Sequence, residues 1–354
     1  MVPMSDLSRA VSILRAGGLV AFPTETVYGL GADASNGKAV ARLFWVKGRP
    51  PTNPVIVHVS GEDAARRYAA QWPPAARKLA ARFWPGPLTL VVPRGGRIVP
   101  EVSAGLDTVG LRCPDHPLAL ELLRSFDGAI AAPSANRSTR ISPTTAQHVR
   151  DELGDAVDAV LDGGPCRVGI ESTVLDVLSS PPCILRPGGV SREQIQSLIG
   201  PVAVVPGRIA PDEPATSPGQ HALHYAPMTP TYRFSADQWR LVAVAAQSLG
   251  GPTAIVHLAL PPSPCTQGEG RGEGSSASRS PPSPSPDHPL PPNMLLRPMP
   301  PEPEEYARQL YVALRDLDHR RLAAIFIQMP PDEPRWLAVR DRLMRASRAI
   351  DDLP

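Results

Sequence analysis

Leu7, Ala10, Val11 and Leu14 recur at three- and four-residue spacing, Arg9 and Arg15 lie between and after them, and Gly17-Gly18 ends the run. That period predicts an amphipathic helix with a glycine stop. From there to about residue 200 the pattern alternates. Short apolar runs at 19–24 (LVAFPT), 55–59 (VIVHV), 88–93 (LTLVVP), 109–113 (VGLRC), 129–133 (AIAAP), 159–163 (AVLDG) and 173–177 (TVLDV) read as strands. Several are apolar almost throughout, as expected where both faces of a sheet are covered. Helical stretches such as HPLALELLRSF and TTAQHVRDELG lie between them. Strands alternating with helices predict an α/β domain over 1–202.

Beyond residue 200 the periodicity lapses. Residues 203–230, rich in proline and polar side chains, read as a linker. A second, smaller α/β pattern occupies 231–354: a helix near 235–249, a strand at 253–260, the helix EEYARQLYVALRDLD, the strand LAAIFIQM and a terminal helix WLAVRDRLMRASRAI. It is interrupted at 261–303, where 14 prolines surround GEGRGEGSSASRS. Such a composition buries too little apolar area to offset its chain entropy, so a disordered insertion is expected there.

Charge narrows the partners. Lys and Arg number 36 against 34 Asp and Glu, a net charge of +2, which lacks the polybasic signature of a nucleic-acid binder. Direct nucleic-acid binding is expected to be weak or absent, and any anion site to be local. Four cysteines without a CxxC pair suggest a reducing compartment rather than a disulfide framework. The first residues form the helix described above rather than a secretory leader, and no apolar run approaches the ~18 residues of a membrane span. A cytoplasmic protein without a membrane partner is expected.

Candidate chemistry falls in a few places. Lys47 and Arg49 stand beside Pro50, Pro51 and Pro54 in KGRPPTNP, a stretch stiffened against helix formation that leads into the strand holding His58. Cations held on a pre-shaped loop suit phosphate or carboxylate groups. FPTETVYGLG brings Thr24, Glu25, Thr26 and Tyr28 to the end of a strand, on a loop closed by Gly29 and Gly31, where α/β proteins bind ligands. Arg112 lies in an otherwise apolar strand and requires an anion, either a protein carboxylate or a bound one. In AAPSANRSTRISPTTAQ, Ser142 and Pro143 read as the N-cap and first residue of a helix whose amides favour anions. Ser172 and Thr173 precede a strand, and Arg186 ends one before a Pro-Gly-Gly turn. His221 and His224 lack a third ligand at metal spacing, so no metal site is expected.

Taken in order, FPTETVYGLG, KGRP…NPVIVHV, FWPGPLTLVV, VGLRCP, PSAN…SPT, GIESTVLD and ILRPGG, followed by SPGQH…HYAP and DRLMRAS, resemble the YrdC-like threonylcarbamoyl-AMP synthase family in its longer form. The resemblance implies a YrdC-like twisted open sheet with flanking helices, plus a Rossmann-like C-terminal domain. It implies an enzyme that joins L-threonine, bicarbonate or CO2 and ATP into threonylcarbamoyl-adenylate and pyrophosphate, for transfer to tRNA by a downstream complex. Thr26, His58, Arg112, Ala132 and Ser172 match threonine-side positions. Arg49, Asn53, Thr108, Ser134, Ser142, Arg186 and Tyr225 match ATP-side positions. Lys47 joins Arg49 in the catalytic cationic cradle, Mg2+ is expected to arrive with ATP, and the 203–230 linker is expected to act as a lid. Cys113 and Cys166 are expected to pack rather than react.

Overall fold

A computed structural model describes residues 4–205, 225–259 and 294–353. The first domain runs α1 (Met4–Arg15), β1 (Val20–Phe22), β2 (Gly29–Asp33), α2 (Gly37–Lys47), β3 (Val57–His58), α3 (Glu62–Arg66), α4 (Pro74–Phe83), β4 (Leu88–Pro93), β5 (Thr108–Arg112) and α5 (Pro117–Phe126). It continues through β6 (Ile130–Ala131), α6 (Ala146–Leu153), β7 (Ala159–Val160), β8 (Thr173–Asp176), β9 (Cys183–Arg186), α7 (Arg192–Ile199) and β10 (Ala203–Val204). These ten strands form one mixed sheet in the order β10-β9-β8-β4-β5-β3-β6-β2-β1-β7. Its centre decides the site. β3 and β5 are parallel with His58 opposite Arg112, and β6 runs antiparallel to β3. Two buried polar side chains therefore reach the same sheet end side by side.

The second domain comprises β11 (Thr231–Phe234), α8 (Trp239–Ser248), β12 (Thr253–Leu258), β13 (Met294–Met299), α9 (Pro303–Asp318), β14 (Ala324–Gln328), α10 (Leu337–Ala346) and β15 (Arg348–Ala349). Its five strands are all parallel, in the order β13-β12-β14-β11-β15. The central β14, AIFIQ, is buried at every position, as a strand covered on both faces must be.

Three readings change here. The GLG stretch is not a loop closure but the strand β2, paired with β1 and β6. A Cβ on Gly31 would lie 2.7 Å from the Ile130 side chain and 2.9 Å from Phe22, so this glycine serves close packing. The first sheet extends past 202 through β10. The proline-rich stretch expected to be disordered through 303 becomes strand β13 at Met294. Pro298 is tolerated there because β13 is an edge strand. The remainder of that stretch, 261–293, and linker residues 206–224 with His221 and His224, lie outside the described residues. Among the described residues no helix is long and apolar enough to cross a membrane.

The two domains share a core. Val27, Ile141 and Ile170 of the first pack in one buried cluster with Tyr306, Leu310, Tyr311, Leu314 and Leu343 of the second. Polar contacts flank it: Arg315 donates to the Ile141 carbonyl and pairs with Glu152 at 2.8 Å.

Candidate functional site

Where β3, β5 and β6 end, a small cavity of about 40 Å³ is lined by Arg49, His58, Arg112, Ala132, Ser134, Glu171, Arg186 and Tyr225, among others. Arg49 and Arg112 are each less than a tenth exposed, as is Arg186. Three converging buried guanidinium groups are costly unless each is oriented and compensated, and the surrounding chain does this residue by residue.

Helix α2 delivers the first. Asn36 caps its start, accepting from the Lys38 and Ala39 amides. Gly48, at φ 58°, ends it in the left-handed conformation that glycine adopts without penalty. Lys47 is therefore the last residue of a helix rather than part of the proline loop, and Arg49 follows the cap. The Arg49 guanidinium donates to the Asn53 carbonyl at 3.1 Å, to Asn53 Oδ1 at 2.8 Å and to the Pro54 carbonyl at 2.7 Å. Asn53 thus positions Arg49. The Lys47 ammonium donates to the Ser134 carbonyl at 2.5 Å and to that of Asn136. Burial, reinforced by Arg49, lowers its pKa well below the usual lysine value. Burial likewise lowers Arg49 to about 10, which leaves it charged at neutral pH.

Arg112 resolves the choice left open by its sequence. Its anion is a protein carboxylate, Glu25, at 2.7 Å. It also donates to Thr26 Oγ1 at 2.9 Å. Since Thr24 Oγ1 donates to the Val27 carbonyl at 2.7 Å, the 2.8 Å contact between the two hydroxyls runs from Thr26 to Thr24. This chain of donors fixes Arg112, whose Nε remains buried without a hydrogen-bond partner. Neighbouring His58 is driven to a pKa of about 3 by burial, with Arg112 opposing its protonation. It is neutral at physiological pH.

Arg186 hydrogen-bonds to the Ser172 carbonyl at 3.1 and 2.9 Å and to Ser172 Oγ at 3.1 Å. Gly188 permits this approach: a Cβ there would fall 2.4 Å from the backbone of Glu171, Ser172 and Thr173. Ser142 is not a helix cap. Thr145 caps α6, and the Ser142 hydroxyl instead donates to Glu171 Oε1 at 2.6 Å. Tyr225, buried at φ 62°, lines the cavity.

Of the expected residues, then, Arg49, His58, Arg112, Ala132, Ser134, Arg186 and Tyr225 meet at the cavity. Lys47, Thr26, Asn53 and Ser172 form the layer that orients them, and Ser142 holds Glu171 on the cavity wall. Thr108 is not brought there: it opens β5 and lines a separate cleft with Pro54, Val55 and Val174. Cys113 and Cys166 are buried, and burial raises both thiols, Cys113 to about 12. Glu171, inside the GIESTVLD motif, has no role in the sequence reading, and Glu25 enters it only as one of the side chains on the FPTETVYGLG stretch. Tyr311 and Arg342 reach Glu171 from the second domain, which no local pattern signals.

A wider groove of about 670 Å³ adjoins, with Arg49 as common wall, lined by Phe44, Trp45, Pro51 and Glu101. It is more open and more apolar than the cationic cavity. Among the described residues no group of three or more His, Cys, Asp or Glu side chains is placed to hold a metal ion.

Two family models match the chain. One, described as telomere recombination (Sua5/YciO/YrdC), covers residues 12–188, and the other, described as threonylcarbamoyl-AMP synthase C-terminal domain, covers 190–348. A threonylcarbamoyl-AMP synthase of Bacillus subtilis is 39% identical over 343 residues, 97% of this chain and 93% of the relative. One of Pyrococcus abyssi is 46% identical over 219 residues, 62% of this chain and 64% of that one. The crystal structure of P. abyssi Sua5 complexed with L-threonine superposes with a TM-score of 0.81 at 34% identity, covering 96% of this chain and 94% of that one.

Proposed function

Because this chain belongs to the threonylcarbamoyl-AMP synthase family, we propose that it condenses L-threonine, bicarbonate or CO2 and ATP into threonylcarbamoyl-adenylate and pyrophosphate, and that a tRNA threonylcarbamoyl-transfer complex consumes the product. The observation that carries this reading is the convergence of Arg49, Arg112 and Arg186 on one buried cavity beside a neutral histidine.

The chemistry follows from charge. The threonine amine adds to CO2 and loses a proton, giving a carbamate. A carbamate oxygen then attacks the α-phosphorus, the bond to the β-phosphate oxygen breaks, and pyrophosphate leaves with the electron pair. Negative charge grows on the phosphoryl oxygens and the departing group, and fixed donors stabilise it because they need not reorganise. Arg49 and Arg186, with Lys47 behind them, are those donors. Arg112 offers its unpartnered Nε to the threonine carboxylate, Thr26 and Ser172 hold the two arginines, and Ala132 and His58 form the wall against which the amino acid packs. Neutral His58 presents no second cation to the threonine amine. Asn53, Ser134 and Ser142 shape the nucleotide side. Mg2+ would accompany the ATP phosphates and relieve their charge. Carbamates decompose in water, so Tyr225 over the cavity excludes solvent.

The test is pyrophosphate release from ATP by the purified chain, with and without L-threonine and bicarbonate, and mass spectrometry of the nucleotide. Release that requires both, with an AMP adduct carrying threonine and one carbamoyl unit, is the expected result. No release from folded protein under any condition overturns the proposal.

A further inference from the structure

The reaction above gives Glu171 no role, although its carboxylate lines a cavity that must accept a triphosphate and an amino-acid carboxylate. An uncompensated anion there has the wrong sign for both ligands. Inside a poorly hydrated site, one such charge weakens anion binding by about tenfold or more.

What compensates Glu171 comes largely from the C-terminal domain. Ser142 supplies one hydrogen bond from within the first domain. Arg342, on α10 and fully buried, donates from Nε to Glu171 Oε2 at 2.6 Å. Tyr311, on α9, donates to the same oxygen at 3.0 Å. Burial alone would raise the Glu171 pKa, but Arg342, Arg186 and the Ser142 bond outweigh it and hold the carboxylate ionised. The rest of the Arg342 fork is anchored, to Asp341 at 2.6 Å and to the Pro187 carbonyl at 3.0 Å.

The same two side chains pack on Tyr225, which lines the cavity. The Tyr311 ring stacks on Tyr225 with centroids 5.8 Å apart and planes at 28°. The Arg342 guanidinium lies 5.1 Å from the Tyr225 ring centroid, a cation–π contact. Close approach of the domains is built into the backbone. Gly169, two residues before Glu171 and at φ 81°, sits where a Cβ would fall 2.5 Å from the Arg308 Cα of α9 and 2.6 Å from the Ala307 carbonyl.

We propose that the C-terminal domain completes the active site electrostatically: Arg342, backed by Tyr311, neutralises Glu171 and seats Tyr225, so that the cavity binds ATP well only while that domain is docked. Arg342 and Tyr311 are positioning residues, since neither lines the cavity itself. This inference rests on the proposed nucleotide site. It differs from a plain interdomain ion pair in one respect. If Arg342 matters because it cancels a charge, removing that charge restores what its loss takes away.

The experiment measures ATP affinity calorimetrically, alongside pyrophosphate release, for the full chain and its variants. Arg342→Met is expected to weaken ATP binding about tenfold or more, and Arg342→Lys, which keeps the charge but not the fork, by less. Adding Glu171→Gln to Arg342→Met is expected to recover most of the affinity, because the cavity wall then carries no carboxylate to cancel, while Asp341, off that wall, keeps Arg345 at 3.0 Å. Affinity that stays low in the double variant, or that Arg342→Met leaves unchanged, overturns the proposal. Should Arg342→Met fail to fold, Tyr311→Phe keeps the ring and removes only the hydrogen bond. It is expected to raise the Kd for ATP several-fold, again reversed by Glu171→Gln, and an unchanged Kd overturns the idea. A wild-type chain that binds ATP but releases no pyrophosphate defeats the reaction, not this inference. One that binds no ATP defeats both.

Discussion

At the scale of single residues, burial turns each charge of the site into half of a pair, so truncation has two consequences. Arg112→Ala removes the contact proposed for the threonine carboxylate and strands Glu25, which is 1% exposed. The first effect predicts a threonine KM raised by roughly ten- to a hundredfold with little change in the KM for ATP. The second predicts a loss of about 3 kcal/mol in stability, part of which Glu25→Gln recovers in the double variant. Pyrophosphate-release kinetics and urea unfolding separate the two. His58 makes a pH prediction. Its pKa is about 3 folded against 6.5 unfolded, so the unfolded chain binds the extra proton between those values. Stability is then lost as pH falls below 6.5 toward 3, by roughly 2 kcal/mol between pH 6.5 and 5 from this residue. Glu171, with its pKa lowered to about 2 from 4.5, adds a further loss only below pH 4.5. Urea midpoints at pH 7.5 and 5 are expected to differ less in His58→Gln than in the parent, and equal slopes would refute the assignment.

At the scale of elements, legibility tracks how local the cause is. The strands that became β4, β5 and β8 and the helix α9 carry long apolar periods, and those were readable. β2 was not, because GLGAD has no β-branched or aromatic residue to mark a strand. Its glycines are there to let Phe22 and Ile130 pack. β13 was hidden by Pro298 and by neighbouring low-complexity sequence. The cap assigned to Ser142 was misplaced because Ser-Pro satisfies the local rule, while a carboxylate 29 residues later claims the hydroxyl. Within the site, cations and hydroxyls announced themselves inside apolar runs, whereas their partners depend on chain separations that no window spans. The glycine turn after β9 offers a test at this scale. Gly188→Ala drives a Cβ into the backbone of Glu171, Ser172 and Thr173 at 2.4 Å. It is expected to cost about 3 kcal/mol and to raise the KM for ATP, since Ser172 is what holds Arg186. Gly200→Ala, at φ 84° but with no atom within 4 Å, carries only conformational strain. With ψ at −157° that conformation is essentially glycine-only, so the expected cost is about 2 kcal/mol, with KM unchanged.

At the scale of the whole molecule, the two domains are joined by more than a linker. A buried apolar cluster crosses the boundary, and among the described residues ion pairs cross it at three points, Arg342 with Glu171, Arg315 with Glu152 and Arg140 with Asp318. Apolar burial of this kind couples unfolding, because neither half can open without exposing the other's surface. The chain is therefore expected to unfold in one calorimetric transition despite having two sheets. Saturating ATP, at about a hundred times its Kd, should raise that single transition by the linkage equivalent of ~2.7 kcal/mol. Arg315→Met leaves Glu152 Oε2 and the Ile141 carbonyl without their Arg315 donor but stands outside the candidate cavity. It is expected to split or broaden the transition, and ATP should then shift the first-domain component most. If the parent already unfolds in two steps and ATP moves only one, the domains are energetically independent. The C-terminal contribution to the nucleotide site would then be local contact without coupled stability.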